Sequence, residues 1–215
     1  MNLETHNAKL VSITPDAEKQ IVYMARVSNP KNQHNSETAP RLIRYLLKHK
    51  HFSPFEMASM QVEINTTRAI AAQVLRHRSF SFQEFSQRYS DVNELSNIGL
   101  PHLRSQDAKN KQASHDDLDP EMVALMNKQI QQLYASTFDF YEHLLHKGVA
   151  KECARSILPL GTPTKVYMAG TLRSFIHFCQ IRCGEETQLE HRLIADDVKG
   201  IIETNLPNIY EAAFS

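Results

Sequence analysis

The chain has 215 residues, 41% hydrophobic and 22% charged, and its 24 Lys and Arg are matched by 24 Asp and Glu. This is ordinary globular composition, and it lacks the overall charge that would point to a nucleic-acid or membrane-surface partner. No apolar run nears the roughly 18 residues of a membrane span, and the polar start at 1–6 begins no signal peptide. Three cysteines, Cys153, Cys179 and Cys183, are too few for a disulfide scaffold and suit a reducing, cytoplasmic compartment. Length favours one domain over two, covering 1–215. None of the six glycines forms G-x-G-x-x-G or a phosphate loop, so a Rossmann or P-loop nucleotide site is not expected.

Residues 8–14 alternate and read as a strand. Pro15-Asp16 opens a short helix over 16–27, and 36–50 reads as another with Leu42, Leu46 and Leu47 inward. His51-Phe52-Ser53-Pro54-Phe55-Glu56 breaks it, because Pro54 biases Ser53 away from helix. A second strand follows over 57–64. Asn65-Thr66-Thr67 then offers cap groups for a helix to Leu75 with the stripe Ile70, Ala71, Val74 and Leu75. Residues 97–118 are polar and aperiodic, and read as a long structureless excursion, mobile or functional. Asp119-Pro120-Glu121 starts a helix over 121–147, and Lys147-Gly148 ends it. Val123, Met126, Ile130, Leu133, Thr137, Phe140 and Leu144 mark its apolar stripe. At 1.5 Å per residue it spans about 40 Å, more than a small domain needs, so part of it is expected to meet another subunit. A short helix over 149–156 stops before Pro159, a strand covers 164–170, and a helix runs 171–182 to Gly184. Thr187-Gln188-Leu189-Glu190 reads as a capping box opening a helix to 205. The class is α+β: a mixed sheet flanked by helices, with one long helix and no Rossmann winding.

Arginines cluster although the chain is neutral: Arg68, Arg76, Arg78 and Arg88 fall within twenty-one residues with Glu84 the only acid among them. Uncompensated guanidinium forks suit phosphate. Arg76-His77-Arg78 could equally be cations at a helix C-terminus. The run from Arg76 to Arg88 fits R-H-R-x-x-S-x-x-x-x-S-x-R at every specified position, which resembles the signature of the flavin-dependent thymidylate synthases. His51–Glu56 is similar to that family's H-x-[ST]-P-F-E segment, and Gln73 stands three residues ahead of Arg76 as in the family. Ala154-Arg155-Ser156-Ile157-Leu158-Pro159 resembles its A-R-x-x-L-P stretch, and Arg173 and Arg182 fall where it keeps two more arginines.

The resemblance implies methylation of dUMP to dTMP with methylenetetrahydrofolate as carbon donor and FAD, reduced by NADPH, as hydride source. It also implies a homotetramer with shared active sites. By position, Ser53, Arg76, His77, Arg78, Glu84, Thr171, Arg173 and His177 would bind FAD. Gln73, Arg76, Glu84, Phe85, Ser86, Gln87, Arg88, Arg155 and Arg182 would bind dUMP, with Arg182 by the uracil ring favouring its N3-ionised form. The chain departs from the family pattern at Thr171 and His177, where Asn is common, and at Glu186 and Met57, where His is common.

Two routes could make uracil C5 nucleophilic. A thiolate adding to C6 needs a reactive cysteine; Cys179 and Cys183 read as small buried residues, which leaves Cys153 beside Arg155. Ser86 has no evident base. The other route stabilises an anionic ring through Arg155 and Arg182, the expected catalytic pair, without a covalent bond. His51 reads as facing flavin or folate or as a loop residue, and His143 and His146 as solvated. Phe80, Phe82 and Phe85 could stack on ligand rings but read more readily as core. No metal is expected, because His177 and Cys179 point apart on a helix. The competing reading is an arginine-rich nucleic-acid-binding module, disfavoured by the neutral balance.

Overall fold

A computed structural model of the protein describes residues 3–95 and 98–215; Asn97, where the expected polar excursion begins, and Met1, at the polar start, lie outside the described residues. In chain order the elements are β1 (Asn7–Ile13), α1 (Ala17–Ala25), α2 (Ala39–Lys48), β2 (Ser59–Thr67), α3 (Arg68–Val74), β3 (Ser81–Glu84), β4 (Ser105–Gln106) and β5 (Ser114–His115). They continue with α4 (Pro120–His146), α5 (Lys151–Ala154), β6 (Pro163–Thr171), α6 (Leu172–Arg182), α7 (Leu189–Asn205) and α8 (Pro207–Phe214). Four strands form one sheet in the order β1-β2-β6-β3. The expected α+β class, with a sheet flanked by helices and one long helix, is borne out. Among the described residues no helix is long and apolar enough to cross a membrane.

The chain divides into two compact units. The first comprises Met1–His6, Asn65–Val74 and Glu84–Val166; the second comprises Asn7–Ile64, Leu75–Gln83 and Tyr167–Ser215.

The second unit holds the denser core. On β2, Met60, Val62 and Ile64 are fully buried while Gln61 between them is exposed and Glu63 half-buried, the alternation that a strand with one solvated face requires. Leu172 N donates to Ala58 O (2.9 Å) and Tyr167 Oη donates to Glu63 Oε2 (3.0 Å). Residue numbers rise on β2 as they fall on β6, so these strands run antiparallel. Helices α6 and α7 pack on each other, and α7 packs on β1. Helix α6 contributes Phe175, Ile176 and Phe178 to the core, and α7 contributes Ile194, Val198 and Ile202. Helix α2 starts at Ala39, with Pro40 in its first turn, and turns Ile43 and Leu46 inward; Leu42 and Leu47, expected there, are not among its buried residues. The expected capping box does not form. Gln188 is the N-cap of α7 without a side-chain cap bond; its amide donates to Glu190 (2.9 Å), and Thr187 Oγ1 donates to Ile181 O (3.4 Å).

In the first unit, Asn65-Thr66-Thr67 is strand, not cap, and β2 runs straight into α3, whose Ile70, Ala71 and Val74 are buried as expected. Helix α4 begins as predicted: Asp119 accepts from Met122 N (2.9 Å), with Pro120 in the first turn. It ends in paired reverse bonds, Gly148 N to Leu145 O (2.9 Å) and Val149 N to Leu144 O (3.0 Å), which place Gly148 at φ 80°. Only a residue without Cβ adopts that left-handed geometry readily.

The expected face of α4 is half right. Val123, Ile130, Thr137 and Leu144 are partly buried, but Met126, Leu133 and Phe140 are exposed, Leu133 by 64%. The covered stripe instead uses Asn127, Tyr134 and the fully buried Tyr141. Both stripes step by three and four, so helical period alone could not separate them; tyrosine rings supply the inward apolar surface. Tyr141 packs with Val92 and Ala154, with Phe138, Leu144 and Ile157 around them. The stretch expected to lack structure forms an antiparallel hairpin, Ser105 opposite His115 and Gln106 opposite Ser114. Its turn is held by Asp107, which accepts from the backbone N of Asn110 and Lys109 and from His115 Nε2 (2.7 Å). These bonds, the Asn110 amide first, hold the Asp107 carboxyl down at about 2.

Candidate active site

The R-H-R signature follows α3 as a turn and then enters β3. In the second unit this turn places His77 among aromatic rings. Its ring meets Phe178 edge-on (5.0 Å, 77°), with Phe80 at 6.4 Å and His191 at 6.0 Å. Arg182, at the end of α6, donates from Nε to His77 Nε2 (2.9 Å). Burial first, then the Arg182 charge and His177, push the His77 ring down to about 4. Near neutral pH His77 is therefore an uncharged acceptor, and Arg182 keeps its full positive charge.

Phe80 reaches the core because Gly170 on β6 lets it approach. A Cβ at Gly170 would come within 2.5 Å of the Phe80 ring, which also meets Phe175 edge-on (4.8 Å, 66°). The expectation of a core role holds for Phe80, while Phe82 and Phe85 are half-buried. Beside the signature lies a cleft of about 390 Å³ lined by Phe52, Glu56, Ser79, Arg173, Ser174 and His177, among others. The start of α6 forms one side of it, and the expected Ser53 is not among its lining residues. Thr171 caps α6, its Oγ1 accepting from Ser174 N (3.3 Å), which gives the residue at this departure from the family pattern a structural task. Arg173 lies over the Phe52 ring (5.5 Å from its centroid) and pairs with Glu56. Arg76 and Arg78 form no ion pair among the described residues.

The first unit holds Gln73, Glu84, Phe85, Ser86, Gln87, Arg88 and Arg155. Glu84 pairs with Arg68 and accepts from Thr164 Oγ1 (3.1 Å). Phe85 N donates to Lys165 O (2.9 Å), and Ser86 O accepts from the N of Tyr89 and Ser90 in the turn that follows. Gln87 is buried, and its Nε2 has no hydrogen-bond partner among the described residues, a donor that suits a ligand oxygen. Arg88 pairs with Glu152 (3.1 Å). The arginine cluster read as uncompensated is thus corrected: Arg68 and Arg88 meet carboxylates, one of them sixty-four residues away, and only Arg76 and Arg78 of the four do not.

The cysteines sort cleanly. Cys179 is buried, and hydrogen bonding with Cys183 together with burial pushes its thiol far up, away from thiolate; Cys183 is only half-buried, and Cys153 is exposed. His51 is exposed with its ring 5.9 Å from Tyr45, and His143 and His146 are exposed, as expected of solvated groups. His191, fully buried beside His77, belongs to no motif and was not expected; only its place shortly after Arg182 could have drawn attention to it.

Fold and site define an α+β class in which guanidinium and imidazole groups, not a glycine-rich loop, stand ready for anionic ligands. Residues 9–208 match the family model described as thymidylate synthase complementing protein. A probable flavin-dependent thymidylate synthase of Paramecium bursaria Chlorella virus 1 is 48% identical over 214 residues, covering 96% of this chain and 98% of that protein. A flavin-dependent thymidylate synthase of Synechocystis is 46% identical over 195 residues, covering 91% and 88%. The crystal structure of a UMP/dUMP methylase, PolB from Streptomyces cacaoi, bound with 5-Br dUMP, superposes with a TM-score of 0.83 at 25% identity, covering 99% and 96%. The chain belongs to the thymidylate synthase complementing protein family, a family of enzymes.

Proposed function

We propose that this protein converts dUMP to dTMP by reductive methylation, with methylenetetrahydrofolate as carbon donor, FAD reduced by NADPH as reductant, and no enzyme thiolate. Support for the reading comes first from family membership and from two relatives named flavin-dependent thymidylate synthase. The observation that carries it is Arg182 held by the neutral ring of His77, inside the signature.

The second unit's cleft fits FAD by its donor set. Arg173, His177 and the hydroxyls of Ser79 and Ser174 are the donors offered to a diphosphate, which would take the place of the Glu56 carboxylate now paired with Arg173 over the Phe52 ring. Ser53, Arg76, His77, Arg78, Glu84 and Thr171 complete the proposed FAD set. Bound FAD supplies the hydride that no side chain can deliver. Gln73, Arg76, Glu84, Phe85, Ser86, Gln87, Arg88, Arg155 and Arg182 are proposed to bind dUMP, with the unpartnered Gln87 amide as one donor. Arg182 has its Nε committed to His77, which leaves its Nη donors to a uracil carbonyl; charge there favours the N3-ionised ring and raises electron density at C5. Cys179, held protonated in the core, is unsuited to attack C6.

A homotetramer with shared sites is part of this reading. Its support is the exposed apolar side of α4, where Leu133 and Phe140 face solvent at 64% and 54%. Sedimentation as a monomer at micromolar concentration would remove that part alone.

The test is colour and turnover. Purified protein is expected to be yellow, with absorbance near about 450 nm that bleaches on NADPH addition. It should release tritium from C5-labelled dUMP only with methylenetetrahydrofolate present, and Cys153→Ala and Ser86→Ala should retain turnover. Protein that releases no tritium after loading with FAD would overturn the reading. Complete inactivity of Cys153→Ala with FAD and dUMP still bound would restore the thiolate route.

A further inference from the structure

His191 is the third residue of α7, fully buried, and neither ring nitrogen has a hydrogen-bond partner among the described residues. A buried polar ring without partners is destabilising, so a site needing only bulk would be better filled by an aliphatic side chain. What His191 touches explains its presence. Its ring stands nearly perpendicular to His77 (84°, 6.0 Å) and lies 5.8 Å from Phe178, which itself meets His77 edge-on. His77 is thus walled by one ring from α6 and one from α7. Flat rings in edge-to-face contact restrict each other's rotation in a way an aliphatic side chain does not.

The orientation of His77 matters because of the bond it accepts. Arg182 Nε can only donate, so His77 Nε2 must present its lone pair toward α6. A turned or protonated His77 loses that bond and frees Arg182 to swing. His191 also adds no charge of its own: it is buried in the first turn of α7, whose positive end opposes a further cation. Burial, then Arg182 and His77, keep its ring uncharged near neutral pH.

We propose that His191 is a positioning residue for Arg182: by walling the His77 ring it fixes the acceptor of the Arg182 Nε bond, and so fixes the guanidinium whose remaining donors meet the pyrimidine. This rests on the reading above that Arg182 meets uracil. The experiment measures dUMP affinity by titration calorimetry on the FAD-loaded protein, with flavin content and melting temperature recorded for each variant. In His191→Leu, dUMP binding should weaken about tenfold with no fall in melting temperature, and affinity is compared at equal flavin loading because His77 also belongs to the proposed FAD set. In an Arg182→Ala background the same change should leave dUMP affinity where Arg182→Ala alone puts it, because the group being positioned is gone. A purely structural role predicts equal losses in both backgrounds, and that result, or unchanged affinity in His191→Leu, overturns the proposal. If His191→Leu does not fold, His191→Asn is read by the same criteria. Failure of the unmodified protein to bind dUMP would defeat the functional reading itself, whereas normal binding with an indifferent His191 defeats only this inference.

Discussion

In the first unit Arg68 and Arg88 each meet a carboxylate, Glu84 and Glu152, whereas in the second Arg182 meets the neutral ring of His77. The partner decides what the cation can still do. A guanidinium beside a carboxylate has much of its field cancelled, while one bound to a neutral acceptor is held in place at full charge. Arg173, in the second unit but paired with Glu56, shows that the distinction belongs to the partner and not to the unit. The units also differ in packing. Helices α6 and α7 are buried along one side, while the twenty-seven-residue α4 buries only Tyr141 completely.

The strongest way to break this comparison is Arg182→Ala. Steady-state tritium release should fall about a thousandfold in kcat, the loss expected when one preorganised charge is removed, with flavin content near that of the unmodified protein. A smaller effect than that of Arg88→Ala would invert the contrast. Next comes the core. Phe175→Ala, in the second unit, should cost about 4 kcal/mol in denaturant unfolding. A loss below about 1 kcal/mol would show that the dense packing described for α6 is not where stability resides.

Acid sharpens the comparison further. Burial, then the charge on Arg182, holds His77 and His191 near 4, against an ordinary 6.5. Below 6.5 the unfolded chain takes up protons that the folded chain refuses until about 4, so stability is full above 6.5 and declines as pH falls between those values. For the fully buried His191 the loss is on the order of 2 kcal/mol, or roughly 5 °C in melting temperature between about pH 7 and about pH 4.5. Histidine titration followed by NMR checks the cause, and two rings titrating at their ordinary value would refute it. The smallest effect belongs to the first unit: Glu152→Gln removes a solvent-exposed partner of Arg88 and should change stability by less than about 1 kcal/mol in chemical denaturation. A larger loss would mean that this pair is not the weak surface contact its exposure implies.

Local chemistry is legible in the order of residues. Asp119-Pro120 and Gly148 bound α4, alternation locates β1, β2 and β6, and Thr171 marks the start of α6, because caps, turns and strand faces depend on neighbours a few residues apart. Other local signals are present but too short to stand out. Ser81-Phe82-Gln83-Glu84 alternates and forms β3, and Pro207 opens α8 with Ile209 on its buried side. The hairpin within 98–118 rests on Asp107 side-chain bonds that composition does not display.

Taken alone, the order of amino acids determined the ends of α4, the places of the three long strands and the thirteen-residue signature that marks the family, since each is written in short-range spacing. Tertiary structure alone decided which side of α4 is covered, which arginines meet carboxylates, and that His191 stands against His77. Those outcomes depend on residues brought together from far along the chain, Arg88 and Glu152 among them at 64 positions apart, and pairing at that distance is set by how whole elements pack, a quantity no local pattern encodes.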